Sequence, residues 1–116
     1  TLFRSQMKEI RAIISPQKLP RLREVLRSMP GFPGMTVSKA FGCGSTLRHA
    51  PQNIKEELVD FTEKVRVEII APDELVDALV DHIVQVATTG QTGDGLVWVN
   101  DVQRAVFIRK TVGPDS

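Results

Sequence analysis

From Val59 to Ile69 the chain alternates apolar and polar side chains almost without a break. Val59, Phe61, Val65, Val67 and Ile69 hold one set of positions, interrupted only by Glu63, while Asp60, Thr62, Lys64, Arg66 and Glu68 hold the other. Successive side chains of a strand point to opposite faces, so this run predicts a strand with one apolar face, closed by Ile70 and Ala71. A strand of that kind needs neighbours beside it and a layer over its apolar face. The 116 residues suffice for one domain with a moderate core.

The neighbours and the layer can be read from the remaining periods. Met7 to Ile14 predicts a strand in which Ile10, Ala12 and Ile14 share one face, ended by Ser15-Pro16. Leu19, Leu22, Leu26 and Met29 recur at helical spacing, with Val25 beside them and Arg21, Arg23, Glu24 and Arg27 on the other side. Pro20 suits a first turn, and Pro30-Gly31-Phe32-Pro33-Gly34 must stop the helix near Met29. Met35 to Ala40 reads as a strand leading into Phe41-Gly42-Cys43-Gly44. Pro72-Asp73 opens a second helix, with Asp73 expected as its N-cap. Leu75, Leu79 and Ile83 form one apolar row of it, and Val76, Val80, Val84 and Ala87 form the next. Leu96 to Val99 and Ala105 to Ile108 predict two short strands around Asn100-Asp101. The order is β-α-β-loop-β-α-β with a last short strand. It predicts an α+β, ferredoxin-like antiparallel sheet with both helices on one face. Ile13 and Ile70 then point away from the helices, and a partner subunit is expected over part of that face.

Two stretches are not used by the fold alone. Ser45 to Glu57 is polar, contains Pro51 and has no period, which is long for a connection in a compact domain and marks a functional loop. Thr88-Thr89-Gly90-Gln91-Thr92-Gly93-Asp94-Gly95 follows the second helix with three glycines in six positions. Taken by itself this is a helix stop and a tight turn. Its chemistry also suits an anion, because glycine backbone can turn its amides toward a phosphate at close range.

Composition narrows the partners. Fifteen basic and 14 acidic side chains give a formal charge of +1, which provides no electrostatic footprint for nucleic acid or an anionic membrane. Aromatics are 5% of the residues with no tyrosine, so platforms for stacking RNA bases are not expected. No apolar run approaches the roughly 20 residues that span a bilayer, and no signal-peptide pattern opens the chain, so a cytoplasmic protein without direct membrane insertion is expected. A lone cysteine, Cys43, excludes an internal disulfide. Residues 1–6 and 112–116 are expected as an N-terminal extension and a C-terminal tail around one domain over 7–111.

Several segments together resemble the PII signal-transduction family. They are Met7-Lys8-Glu9-Ile10-Arg11-Ala12-Ile13-Ile14, Gly34-Met35-Thr36-Val37, Lys64-Val65-Arg66-Val67-Glu68-Ile69, Asp73-Glu74-Leu75-Val76-Asp77 and Thr89-Gly90-Gln91-Thr92-Gly93-Asp94-Gly95. The resemblance covers Met7 to Thr111 and is weakest over Ser45 to Glu57. It implies a homotrimer that holds adenine nucleotide in clefts between subunits and docks a long loop onto a membrane transporter or metabolic enzyme, with no catalytic residues and no enzyme activity. Carried over by position, Ile13, Thr36 and Ile70 would line the adenine end. Gly42, Gly44, Gly93, Asp94 and Gly95 would surround ribose and phosphates, with Cys43, Ser45 and Thr89 beside them and Arg109 as a phosphate cation. Arg48, His49, Asn53, Lys55 and Glu57 would belong to the partner-binding loop.

This chain departs from the family where phosphate charge is met. Leu96 stands where the family's loop has a lysine, Phe107 replaces the first of two arginines on the last strand, and Ser45 follows Gly44 in place of another arginine. Each lost cation removes a charge-assisted hydrogen bond of about 1.5–3 kcal/mol, and the outermost phosphate suffers most. ADP or AMP is therefore expected ahead of ATP. The tyrosine that carries uridylylation in some members is absent, with Glu57 near its place, so nitrogen sensing is in doubt. A diverged member sensing inorganic carbon, with bicarbonate or another small anion as second ligand, fits better. The rival is a metal-linked regulator of heavy-metal efflux, or a trimer of the divalent-cation-tolerance type. Cys43 and His49 alone would not close a metal site, and that rival does not require the glycine turn.

Overall fold

The computed structural model of the protein describes residues 6–43 and 61–109. Four strands form one antiparallel sheet: β1 (Met7–Ile14), β2 (Thr36–Gly42), β3 (Thr62–Pro72) and β4 (Gly95–Val102). Their spatial order is β2-β3-β1-β4. β1 sits centrally, pairing Ile10 with Ile69 on one side and with Val99 on the other. Two helices, α1 (Leu19–Arg27) and α2 (Val76–Ala87), connect the strands. This is the β-α-β-β-α-β ferredoxin-like arrangement expected from the periods.

Period-2 strands and period-3.6 helices meet in one core. Ile10, Ala12 and Ile14 of β1 and Val65, Val67, Ile69 and Ala71 of β3 are buried against Leu22 and Leu26 of α1 and Leu79, Ile83 and Ala87 of α2. No charged or polar residue is buried among the described residues. The opposite face carries the other half of each alternation. Glu9, Arg11 and Ile13 of β1 stand beside Glu68 and Ile70 of β3 and Trp98 of β4, all only half-buried. Arg11 Nε lies 3.2 Å from Glu9 Oε1 on its own strand and 3.6 Å from Glu68 Oε2 across on β3, one guanidinium between two carboxylates.

Four local expectations are corrected. Asp73 is not an N-cap: Pro72 takes the cap position without a side-chain bond, and Asp73 to Leu75 form a 3₁₀ turn before α2. The Asp73 amide donates to the Gln6 carbonyl at 2.9 Å, which ties the turn to the start of β1. Asn100-Asp101 does not separate two strands, because β4 runs through both as far as Val102 and pairs with β1 along its whole length. Ala105 to Ile108 has no regular secondary structure and does not pair with the open edge of β4. Phe61 also lies just outside β3 and is 46% exposed, so the apolar face of that strand begins at Val65. No helix among the described residues is long and apolar enough to cross a membrane.

Candidate functional site

The glycine turn is built by the end of one helix and the start of one strand. α2 stops at Ala87, where Thr88 turns extended and its hydroxyl donates to the Val84 carbonyl at 2.6 Å. Gly90, Gly93 and Gly95 all take positive φ, at 84°, 92° and 140°. Gly95 is the most constrained of them, because a Cβ there would lie 2.1 Å from the Ile13 carbonyl oxygen. The turn therefore presses directly on the end of β1.

Asp94 organises its interior. Its carboxylate accepts hydrogen bonds from the Thr89 amide at 2.6 Å, the Gly90 amide at 3.0 Å and the Thr89 hydroxyl. The Thr89 hydroxyl and amide, joined by the Gly90 and Gln91 amides, hold this carboxyl below its ordinary value. Hydrogen bonds to the charged form are the cause. Two of the amides that could have cradled a phosphate thus already hold the chain's own carboxylate, and the role of Asp94 is to shape the turn. On the outer side of the turn, Lys64 Nζ donates to the Gly93 carbonyl at 2.7 Å. The Lys64 stem also passes 3.6 Å from where a Cβ on Gly42 would stand. Gly42, Lys64, Gly93 and Gly95 consequently gather at one end of the sheet, with Ile13 next to Leu96 in the β1–β4 register. Lys64 is the member of this group that sequence reasoning left out of the site; its place in the apolar–polar alternation of β3 gave no sign of a reach to Gly93.

Thr36 and Ile70 occupy the other end. They share a cleft of about 460 Å³ with Glu9, Pro33, Gly34, Met35, Glu68 and Phe107. Along β2, six residues separate Thr36 from Gly42, which is about 20 Å of extended chain. Ile13, expected beside Thr36 and Ile70, is four residues along β1 from Glu9, the partner of Ile70. One chain therefore does not bring the three together. Beneath the glycine turn is only a small apolar hollow of about 110 Å³, lined by Ile14, Ile83, Val84 and Leu96 among others.

Arg109 is exposed and does not line the cleft that its neighbour Phe107 enters. Cys43 is a free, exposed thiol. Among the described residues no group of three His, Cys, Asp or Glu side chains could hold a metal ion. Gly44, Ser45, Arg48, His49, Asn53, Lys55 and Glu57 lie outside the described residues, as do the tail and the whole of the predicted loop.

The sequence that builds this sheet, its two helices and the glycine turn matches that of known proteins. The profile of the family described as Nitrogen regulatory protein P-II matches residues 7–112. The chain belongs to the P-II family. It is 45% identical over 104 residues to Nitrogen regulatory protein P-II 1 of Escherichia coli (strain K12), covering 89% of this chain and 92% of that one. Over the same length and shares it is 44% identical to Nitrogen regulatory protein P-II of Klebsiella oxytoca. The corresponding protein of Haemophilus influenzae is 42% identical, again with 89% of this chain and 92% of its own covered. P-II proteins are signal-transduction regulators that bind adenine nucleotides as a class and act on target enzymes or transporters, so this chain is a regulator of the P-II kind.

Proposed function

We propose that this P-II protein is a homotrimeric sensor that binds an adenine nucleotide between subunits, ADP or AMP ahead of ATP, and regulates a transporter or enzyme through the loop at 45–57. The observation that carries this reading is the division of the candidate residues between two ends of one sheet. Gly42 of the same chain lies about 20 Å of extended strand from Thr36, too far for one nucleotide end to meet both. A neighbouring copy set against the helix-free face would supply the missing half. That face also offers half-buried Ile13, Ile70 and Trp98 and an exposed Leu96 as contact surface.

The preference for fewer phosphates follows from charge. Leu96 is 64% exposed beside Ile13, where an apolar side chain gives a phosphate nothing. Lys64 is a cation at the glycine turn, where it donates to the Gly93 carbonyl. Fewer cations suit a terminal mono- or diphosphate, or a small anion such as bicarbonate, better than a crowded triphosphate.

Calorimetric titration of the full chain with ATP, ADP, AMP and cyclic AMP, with and without bicarbonate or 2-oxoglutarate, tests this reading. ADP or AMP is expected to bind tightest, and light scattering is expected to give three times the chain mass. No heat with any adenine nucleotide would refute the reading, and tightest binding of ATP would refute the argument from charge.

A further inference from the structure

The cleft at Thr36 and Ile70 contains an aromatic ring that the nucleotide reading leaves without a task. Phe107 is 45% exposed, whereas Val106 and Ile108 on either side are 70% and 100% exposed. The segment thus turns its ring toward the cleft and its aliphatic neighbours away from it. The charged side chains lining the same hollow are both carboxylates, Glu9 and Glu68. Arg11 faces these two carboxylates but is not part of the lining. A volume of about 460 Å³ is in the range of small-molecule sites, and aromatic, aliphatic and a few polar groups are what such sites present.

This combination repels one end of a nucleotide and suits the other. Arg11 offsets one of the two carboxylate charges, and the net negative charge that remains at the wall disfavours a phosphate. The carboxylates can accept hydrogen bonds from an amino group or from ribose hydroxyls, as can the Thr36 hydroxyl. The ring of Phe107 offers a flat apolar surface, and Ile70 offers a second apolar wall. We propose that Phe107 is a specificity-determining residue that stacks on the heterocycle or packs on the ribose of the bound nucleotide, so that this cleft selects by nucleoside and not by phosphate count. The inference rests on the adenine-nucleotide reading above and adds to it the residue that would hold the uncharged end of the ligand.

The test is calorimetry on the full chain with adenosine, AMP, ADP and ATP, comparing wild type with Phe107→Leu, Phe107→Trp and Phe107→Arg. Leucine keeps an apolar side chain of similar bulk, so folding is preserved while the flat ring is lost. Phe107→Leu is expected to weaken all four ligands by a common factor, roughly 5- to 150-fold for a stacked base. Phe107→Trp is expected to hold or strengthen all four. If the four bind but are indifferent to Phe107→Leu, this inference falls alone. A gain by Phe107→Arg confined to ADP and ATP, with adenosine unchanged, also overturns it, because the position would then face phosphate. If none of the four binds the wild type, the nucleotide reading and this inference fall together.

Discussion

Residues 9 to 14 send their side chains alternately to two surfaces that obey different physics. Ile10, Ala12 and Ile14 are at most 1% exposed and belong to one apolar core with residues of β3 and the two helices. Glu9, Arg11 and Ile13, between them on the same strand, remain half-buried, and Arg11 is tied to Glu9 and Glu68. The first surface is complete within one chain. The second mixes paired charges with Ile13, Ile70 and Trp98, a composition closer to a subunit contact than to a solvated face. The comparison teaches that the strand's two-residue period divides its work as well as its burial: one face makes the fold and the other is available for assembly and ligand.

The largest effect separating the faces is expected from Ile10→Ala. Removing a fully buried isoleucine leaves a cavity under both helices and should lower stability by about 2–5 kcal/mol, read as a lower midpoint in chemical denaturation. Three residues on, Ile13→Glu places a charge on the helix-free face. Its expected effect is loss of assembly, with chain mass by light scattering in place of a threefold mass, while far-ultraviolet circular dichroism stays that of the folded chain. An Ile13→Glu protein that keeps its full mass would remove the helix-free face as the subunit contact. If instead Ile10→Ala dissociated the assembly without lowering stability, the division of labour between the faces would be wrong.

The contrast also explains which parts of the molecule could be read without coordinates. The core was legible because burial imposes a period: Val65, Val67 and Ile69 alternate, and Leu75, Leu79 and Ile83 recur every four residues. Strand ends were less legible, since pairing decides them. β4 extends through Asn100-Asp101 because β1 is long enough to pair with it, whereas Ala105 to Ile108 pairs with no strand. The glycine turn could be located from its spacing, but not its internal partner. A carboxylate at Asp94 looks the same in sequence whether it faces solvent, a ribose or its own turn. Lys64 was read as a polar position of β3 that the family resemblance retains, and only the fold brings it to Gly93, 29 residues away. Phe107, read as a lost cation, enters the cleft of Thr36 and Ile70 through tertiary placement alone.

The smallest effect, and the most local, is expected at Asp94. Its carboxylate is the anion that the Thr89 and Gly90 amides hold, so Asp94→Asn keeps the shape of the side chain while removing its charge and one acceptor oxygen. Global stability should change little, because the turn is exposed and outside the core. Amide hydrogen exchange at Thr89 and Gly90 should rise, with no change at Leu79 or Ile83 in the middle of α2. The pH dependence has a definite sign. Hydrogen bonds depress the Asp94 carboxyl in the folded turn, so its contribution is present at neutral pH, above the unfolded value near about 4, and is lost as pH falls through the depressed folded value. Wild-type protection at Thr89 and Gly90 should therefore decline only in acid, after correction for intrinsic exchange, and Asp94→Asn should show no such decline. Equal protection in the two proteins at neutral pH would mean that the glycines and the contact of Gly95 with β1 hold the turn unaided. The Thr89 and Gly90 amides would then be free to meet a phosphate after all.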